Sequence, residues 1–428
     1  MFSKNILAIS IGNIIEWFEY GVYSYTVGII GSLFFHEGDE TAALLYGFAA
    51  LAISFLVRPI GGWIFGSLGD KLGRKKVILI TILMMAISTG LIGVLPTFES
   101  IGILATILLI VCRIGQGLSA GGEYSSSSVY MNEYADKGRR GFFASILESG
   151  TVVGYLFGIL AVSCLTLMIG EDRMVAWGWR IPFLISFPLG LIAIYMRNNL
   201  VDSPTYIQLK EENNLPEKPS LEMISTAKKP MVISFLILSF AMAVYYISMT
   251  FIPSYLQTQV GLSGPQSSMV SIAGMILFII VIPTVGFLND RFDRRIFLTV
   301  SASIALITAL PLFIFMNSGG KFAPLISFVF LSIVASTFLG THPSTLPLLF
   351  PGRVRNISYG ITYNVSSIIF GGSAAYIITL LESLTGSNLI PAYFLMSTAV
   401  LGLIGISLLP KMEKENREVN YQNIDKSV

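Results

Sequence analysis

The chain has 428 residues, 54% hydrophobic and only 12% charged, with a net charge of +2 and a mean hydropathy of +0.74. A soluble domain carries about 25% charged residues, so neither an ordinary soluble enzyme nor a nucleic-acid binder fits. The apolar residues run in blocks of about 20 or more, the length a helix needs to cross hydrocarbon, and the alternating segments of a β-barrel are absent. The expectation is an all-α polytopic membrane protein.

The blocks predict twelve spans, near 5–33, 44–67, 77–96, 101–131, 141–169, 178–198, 230–258, 266–288, 296–316, 322–350, 357–382 and 390–409. The first is too long for a cleavable signal peptide and lacks a small-residue cleavage site after a short apolar core. Between spans six and seven, the Lys-, Glu-, Asn- and Pro-rich stretch reads as a linker. The resulting organisation is a six-helix bundle at 1–198, a linker at 199–229, a second six-helix bundle at 230–410 and a polar tail at 411–428. The tail shows no apolar heptads, so no coiled coil is predicted there. Cys112 and Cys164 lie in separate spans and offer neither a disulfide framework nor metal spacing.

Most of the 27 Lys and Arg residues flank the spans on one side, with only Arg173, Arg180 and Lys321 on the other. By the positive-inside rule this places both termini and the linker in the cytoplasm. Arg58 and Arg113 fall inside spans.

A loop motif repeats in the two halves. GSLGDKLGRKK (66–76) follows span two, and GFLNDRFDRR (286–295) follows span eight. Parallel repeats related by an axis along the membrane normal leave such a signature. Gly66 suits close helix approach, Asp70 ends the span, Gly73 makes the turn, and Arg74 is a fork donor for a carboxylate or helix end. Asp290 and Arg294 are the second copy. There Asp293 stands where the second glycine would be. Such pairs suit a gate that locks in one conformation and releases in another.

Ionisable residues at bilayer depth are expensive and mark ion or substrate paths. In GNIIEWFEYGVYSY (12–25), Asn13, Glu16, Tyr20 and Tyr23 share a helix face, with Glu19 at its edge. Glu16 is the better cavity candidate, and Glu19 is expected to partner Arg58 or Arg113. In span four, Arg113, Gln116, Ala120 and Glu123 lie along one side. Glu133, near the end of that span, is expected to form a surface ion pair with Arg139 or Arg140. Span five brings Glu148 with Thr151 and Tyr155 on its face. Glu16, Glu19, Glu123 and Glu148 are the proton-coupling candidates, because desolvation suits a carboxylate to carry a proton. A structural role, in which these charges only pair with each other, is the competing reading.

The repeated loop, the six-plus-six spans and the linker resemble the major facilitator superfamily. GNIIEWFEYGVYSY, RIGQGLSAGGEY, the Glu133 to Gly141 pattern and WGWRIPFLISFPLGLIAIYMR (177–197) resemble its metabolite:proton symporters. TFIPSYL (250–256), STLPLLFPGRVR (344–355) and IPAYFLM (390–396) are similar to the proline/glycine-betaine carriers within that family. The resemblance implies the major facilitator fold, twelve membrane helices in two bundles, and proton-coupled uptake across a bacterial inner membrane. It also implies alternating access, a small-molecule substrate, and neither a cofactor nor a required protein partner. Relatives that carry citrate, 2-oxoglutarate or shikimate share the N-terminal signatures.

Counting residues in the spans gives two arginines, Arg58 and Arg113, against at least four carboxylates. That balance favours a zwitterion over a di- or tricarboxylate. Arg113 is the candidate for the substrate carboxylate. Tyr20, Tyr23, Tyr245, Tyr246 and Tyr363 are candidates for its ammonium, since aromatic faces attract cations. Gln116, Asn364, Ser366, Thr341 and Ser344 are further polar candidates. Pro253, Pro283 and Pro343 are expected to bend their helices. His342 and His36 are the only histidines, and a relay role competes with simple hydrogen bonding. No Walker A loop, H-E-x-x-H pair or G-x-S-x-G elbow is present, so a proton gradient, not ATP, is the expected energy source and an enzyme is disfavoured. A transporter-like receptor is the remaining rival.

Overall fold

The computed structural model describes residues 4–35, 40–136, 138–198 and 200–410. The tail at 411–428 and His36 lie outside the described residues. Every regular element among the described residues is helical.

The first half holds α1 (Lys4–Phe34), α2 (Tyr46–Leu72), α3 (Arg74–Val94), α4 (Ile103–Tyr134), α5 (Arg140–Ile169) and α6 (Arg180–Asn198). The second holds α7 (Lys228–Thr258), α8 (Gln266–Asn289), α9 (Arg294–Met316), α10 (Ala323–Leu349), α11 (Arg355–Thr385) and α12 (Ile390–Ser407). Eleven of them, α2 to α12, are long and apolar enough to cross a membrane. The twelfth, α1, has the length, with 31 residues, but not the apolarity. Asn13, Glu16, Glu19, Tyr20 and Tyr23 dilute it, and all five are buried. A helix that hides polar groups from lipid in this way faces protein interior.

The polar linker is not without structure. It forms two short helices, Pro204–Glu211 and Pro219–Thr226. Each begins with proline, whose fixed φ suits the first helical turn. Ser203 Oγ accepts the Tyr206 N–H at 3.3 Å and caps the first of them.

Three spans of the second half are interrupted. α7 and α11 contain π-helical turns at Ile247–Phe251 and Ile368–Gly372. α10 ends its first segment at Leu339 and continues as the short helix His342–Thr345 and a 3-10 turn at Pro347–Leu349. Pro253 and Pro343 sit in the first turns after such interruptions, where the missing N–H costs nothing. Pro283 lies inside α8 without ending it.

The chain packs as two compact units, Met1–Ser127 with Gly150–Glu211, and Ser128–Ser149 with Glu212–Val428. The end of α4 and the start of α5 therefore belong to the second unit.

Within the first unit, α2 and α4 touch backbone to backbone. A Cβ on Gly121 would lie 2.1 Å from the Arg58 carbonyl oxygen, and one on Gly117 would lie 2.2 Å from that of Ser54. Small residues permit such approach in bilayers. Arg58 and Arg113, one on each helix, lie within electrostatic reach of each other and of Tyr20.

Candidate functional site

Eight charged side chains are buried in the first unit among the described residues: Glu16, Glu19, Arg58, Asp70, Arg74, Arg113, Glu123 and Arg197. They are four acids and four bases. Asp70 and Arg74 pair with each other at 3.2 Å, both fully buried. The remaining six balance three against three. The sequence pattern gives only two bases within the spans, because Arg197, at the end of span six, groups with the basic residues around the linker.

Arg197 is instead fully buried. Its Nη1 donates to Glu123 Oε1 at 2.7 Å, its Nε to the Ala8 carbonyl at 3.3 Å, and its Nη2 to the Ile9 carbonyl at 3.0 Å. Its guanidinium crosses α1 where residue 12 is glycine, and a Cβ there would lie 2.1 Å from Nη2. The surplus of acids over bases in the sequence was the signal that a base was missing.

Glu16 lies within electrostatic reach of Glu123, Arg58, Arg197 and Glu19. Its Oε2 is buried without a hydrogen-bond partner. Glu19 does not pair with Arg58 or Arg113 as expected. It accepts a hydrogen bond from the Thr89 hydroxyl. Thr89 in turn accepts from Gln116 Nε2 at 2.6 Å, and Gln116 Oε1 accepts from Arg113 Nη1 at 2.7 Å. The hydrogen-bonded route from Arg113 to Glu19 runs through these two side chains, with Thr89 supplied by α3. Sequence reasoning missed Thr89, since a lone threonine in an apolar span has no signature.

Arg113 also donates from Nε to the Ala50 carbonyl at 3.2 Å and from Nη2 to Ser54 Oγ at 3.0 Å. Three of its five N–H groups are thereby used. Its guanidinium lies 3.8 Å from the Tyr23 ring centroid, and that of Arg58 lies 4.8 Å from the Tyr20 ring. One face of Tyr20 and one face of Tyr23 are therefore occupied by an internal cation. The Tyr23 hydroxyl donates to the Gly47 carbonyl at 3.2 Å.

The Asp70/Arg74 loop is tied to the linker. Gly73 has φ +101°, in the region that favours glycine, and a Cβ there would meet Asp202 Oδ2 at 2.4 Å. Asp202 Oδ1 accepts the Lys75 N–H at 3.0 Å, so a linker carboxylate satisfies the start of α3. The Arg74 guanidinium sits 5.6 Å from the Tyr206 ring, whose hydroxyl donates to the Lys71 carbonyl at 3.2 Å. Partial burial pushes the Tyr206 phenol up from its ordinary pKa, with the nearby Asp202 carboxylate acting the same way and Arg74 against it. Gly66 is buried in α2.

The second copy of the loop is built differently. Asp290 and Arg294 approach only to 3.9 Å. Asp290 accepts the N–H groups of Gly141 at 2.7 Å and Phe142 at 3.0 Å, at the positive end of α5. Arg294 donates to the Ser344 carbonyl where α10 is broken. Asp293, in place of glycine, adopts an extended conformation and caps α9 by accepting the Arg295 N–H at 2.9 Å.

In the second unit, Glu133 is buried and pairs with Arg355 at 2.9 Å, so this ion pair lies inside the protein rather than at its surface. Glu148 is buried and belongs to the second unit, within electrostatic reach of Tyr359. Tyr245 and Tyr246 meet edge to face at 5.3 Å, and Tyr363 lies 5.8 Å from Tyr359. The Tyr246 hydroxyl is 3.4 Å from Ser367 Oγ. Asn364 donates to its own helix at Gly360, 2.7 Å away, and Ser366 to Thr362 at 2.8 Å. Thr341 contacts Asn289, whose Nδ2 is 3.0 Å from its Oγ1. His342 is fully buried beside Phe338, and neither ring nitrogen has a hydrogen-bond partner, unlike the simple bonded histidine expected.

Eleven helices long and apolar enough to cross a membrane, among the described residues, and a balanced cluster of buried charges fit a multi-pass membrane protein. The chain belongs to the Major Facilitator Superfamily, whose family model matches residues 9–375. It is 37% identical to the proline/betaine transporter of Salmonella typhimurium over 95% of this chain and 83% of that protein. It is 36% identical to the proline/betaine transporter of Escherichia coli K12, over 94% of this chain and 82% of that one. A glycine betaine/proline/ectoine/pipecolic acid transporter of Dickeya dadantii is also 36% identical, over 94% and 82%. Among solved structures, the proton:xylose symporter XylE is similar with TM-score 0.79 at 16% identity, covering 97% of each chain. The fucose:proton symporter FucP of E. coli follows with TM-score 0.68 at 12% identity, covering 96% of this chain and 100% of that one. At these identities the structures establish the fold.

Proposed function

We propose that this protein is a proton-coupled symporter that takes up a small zwitterion such as proline or glycine betaine by alternating access. The observation that carries the reading is the balance of Glu16, Glu19 and Glu123 against Arg58, Arg113 and Arg197. With all six ionised, the cluster is neutral. Protonating one carboxylate leaves one surplus positive charge. The carboxylate end of a zwitterion is attracted to that charge while its ammonium is held apart from it, so proton and substrate favour each other's binding. A tricarboxylate would bring more negative charge than one proton offsets, and an uncharged sugar would not use it.

The relatives named above, proline and betaine transporters in their printed names, support the same substrate class. In this reading Glu16 and Glu19 carry the coupling proton, with Glu123 and Glu148 as further acids. Arg113 and Gln116 receive the substrate carboxylate. Tyr20, Tyr23, Tyr245, Tyr246, Tyr363 and Asn364 flank its ammonium. The loops at Asp70/Arg74 and Asp290/Arg294 bias the conformational equilibrium. The protein sits in the inner membrane with both termini in the cytoplasm, in keeping with its Lys and Arg distribution.

Uptake of labelled proline, glycine betaine and citrate into proteoliposomes under an imposed proton gradient tests this. Betaine or proline accumulation that collapses with a protonophore is expected. Citrate uptake without either zwitterion would replace the substrate, and binding without uptake would make the protein a receptor.

A further inference from the structure

The hydrogen bonds between Arg113 and Glu19 have a fixed direction. A guanidinium only donates, so the Gln116 atom facing Arg113 must be its carbonyl oxygen. The amide nitrogen then faces Thr89 and donates to its hydroxyl at 2.6 Å. Having accepted there, Thr89 turns its own hydrogen to Glu19. Every link points from the arginine to the carboxylate, and none of the four side chains is exposed. An ionised Glu19 accepts such a bond. A protonated Glu19 brings a second hydrogen to the same contact.

We propose that Gln116 and Thr89 are positioning residues that make substrate and proton bind together. A substrate carboxylate that takes the Arg113 Nη1 replaces Gln116 Oε1. The amide is then free to turn and offer its oxygen to Thr89. Thr89 can accept a hydrogen from protonated Glu19 while donating its own to Gln116. The relay therefore stands in one direction with the site empty and in the other with substrate and proton bound. No covalent bond other than the carboxyl O–H is made, and the proton comes from solvent. The inference rests on the proton-coupled reading above.

The test compares full-length wild type with Thr89→Val, which keeps shape and loses the hydroxyl, Thr89→Ser, which restores it, and Gln116→Glu. The last keeps an acceptor for Arg113 but has no N–H for Thr89. Glycine betaine affinity is measured against pH, together with exchange and gradient-driven accumulation in proteoliposomes. Wild type and Thr89→Ser should bind more tightly at low pH, by about 5- to 150-fold across the transition, the usual range of site coupling. Thr89→Val should show a flattened pH profile and lose accumulation while retaining exchange, and Gln116→Glu, which also alters a substrate contact and adds a carboxylate, should lose the wild-type pH profile and accumulation. Wild-type pH dependence retained in both variants would overturn the relay and leave the symporter standing. A wild type with no proton-linked uptake would overturn the symporter itself, and the relay with it.

Discussion

Arg197 and Glu123 form a fully buried ion pair at 2.7 Å, although one ends α6 and the other lies on α4. Removing one partner of such a pair strands a charge and costs about 3–5 kcal/mol, whereas replacing both with apolar residues is often neutral. Arg197→Met should therefore lower the unfolding temperature in detergent sharply, and Arg197→Met with Glu123→Met should recover most of it. If Glu123 matters for transport as well as for folding, the double variant regains stability without uptake. Unfolding and uptake measured on the same samples separate the two roles.

The same pair depends on an absent side chain in α1. Gly12→Ala would place a methyl 2.1 Å from Arg197 Nη2, and the guanidinium is held by three acceptors. Overpacking of this kind costs about 1–3 kcal/mol. A loss of stability in Gly12→Ala that disappears in an Arg197→Met background would confirm that the clash is with this residue. An equal loss in both backgrounds would point to another cause.

Gly73→Ala meets two obstacles at once, a φ of +101° and Asp202 Oδ2 at 2.4 Å. Strained backbone costs about 1–3 kcal/mol per residue. Asp202→Ala should relieve the clash but remove the partner of Lys75 N–H, at about 1 kcal/mol for a lost helix cap. Thermal unfolding of the two single variants and the double variant should show that the Asp202→Ala and Gly73→Ala effects do not add.

Glu16 and Glu19 should differ when neutralised. Glu19→Gln still accepts from Thr89 through its amide oxygen, so substrate exchange should persist while uphill accumulation is lost. Glu16 Oε2 has no hydrogen bond to lose, and Glu16→Gln leaves Arg58 and Arg197 with one acid fewer. A gain in affinity for a carboxylate ligand at high pH is expected there. Measured exchange, accumulation and binding in both variants would test the assignment, and full coupled uptake in both and in the double variant would end it.

Span positions and the repeated loop were legible because hydrophobic blocks and Gly-x-Leu-x-Asp-x-x-x-Arg spacing are local. Residue types at bilayer depth pointed to Glu16, Glu19, Glu123 and Arg113, and all four are buried together in one unit. Partnerships were not legible. Arg197 ends an apolar span, and position alone cannot tell a buried arginine from one in water. Glu133 has an ion pair with Arg355, more than two hundred residues away, and no local spacing announces it. Asp202 carries no motif, and only the fold brings it to Gly73. Glu148, grouped by type with the other acids, falls in the other unit because α5 is divided between the two.

The central claim is that a zwitterion moves inward with a proton, which carries net positive charge. The direct measurement is the current and internal pH change on adding glycine betaine to proteoliposomes without an imposed voltage. The account predicts an inward positive current with acidification of the lumen, both lost in Glu19→Gln. Betaine uptake with neither current nor acidification would contradict it.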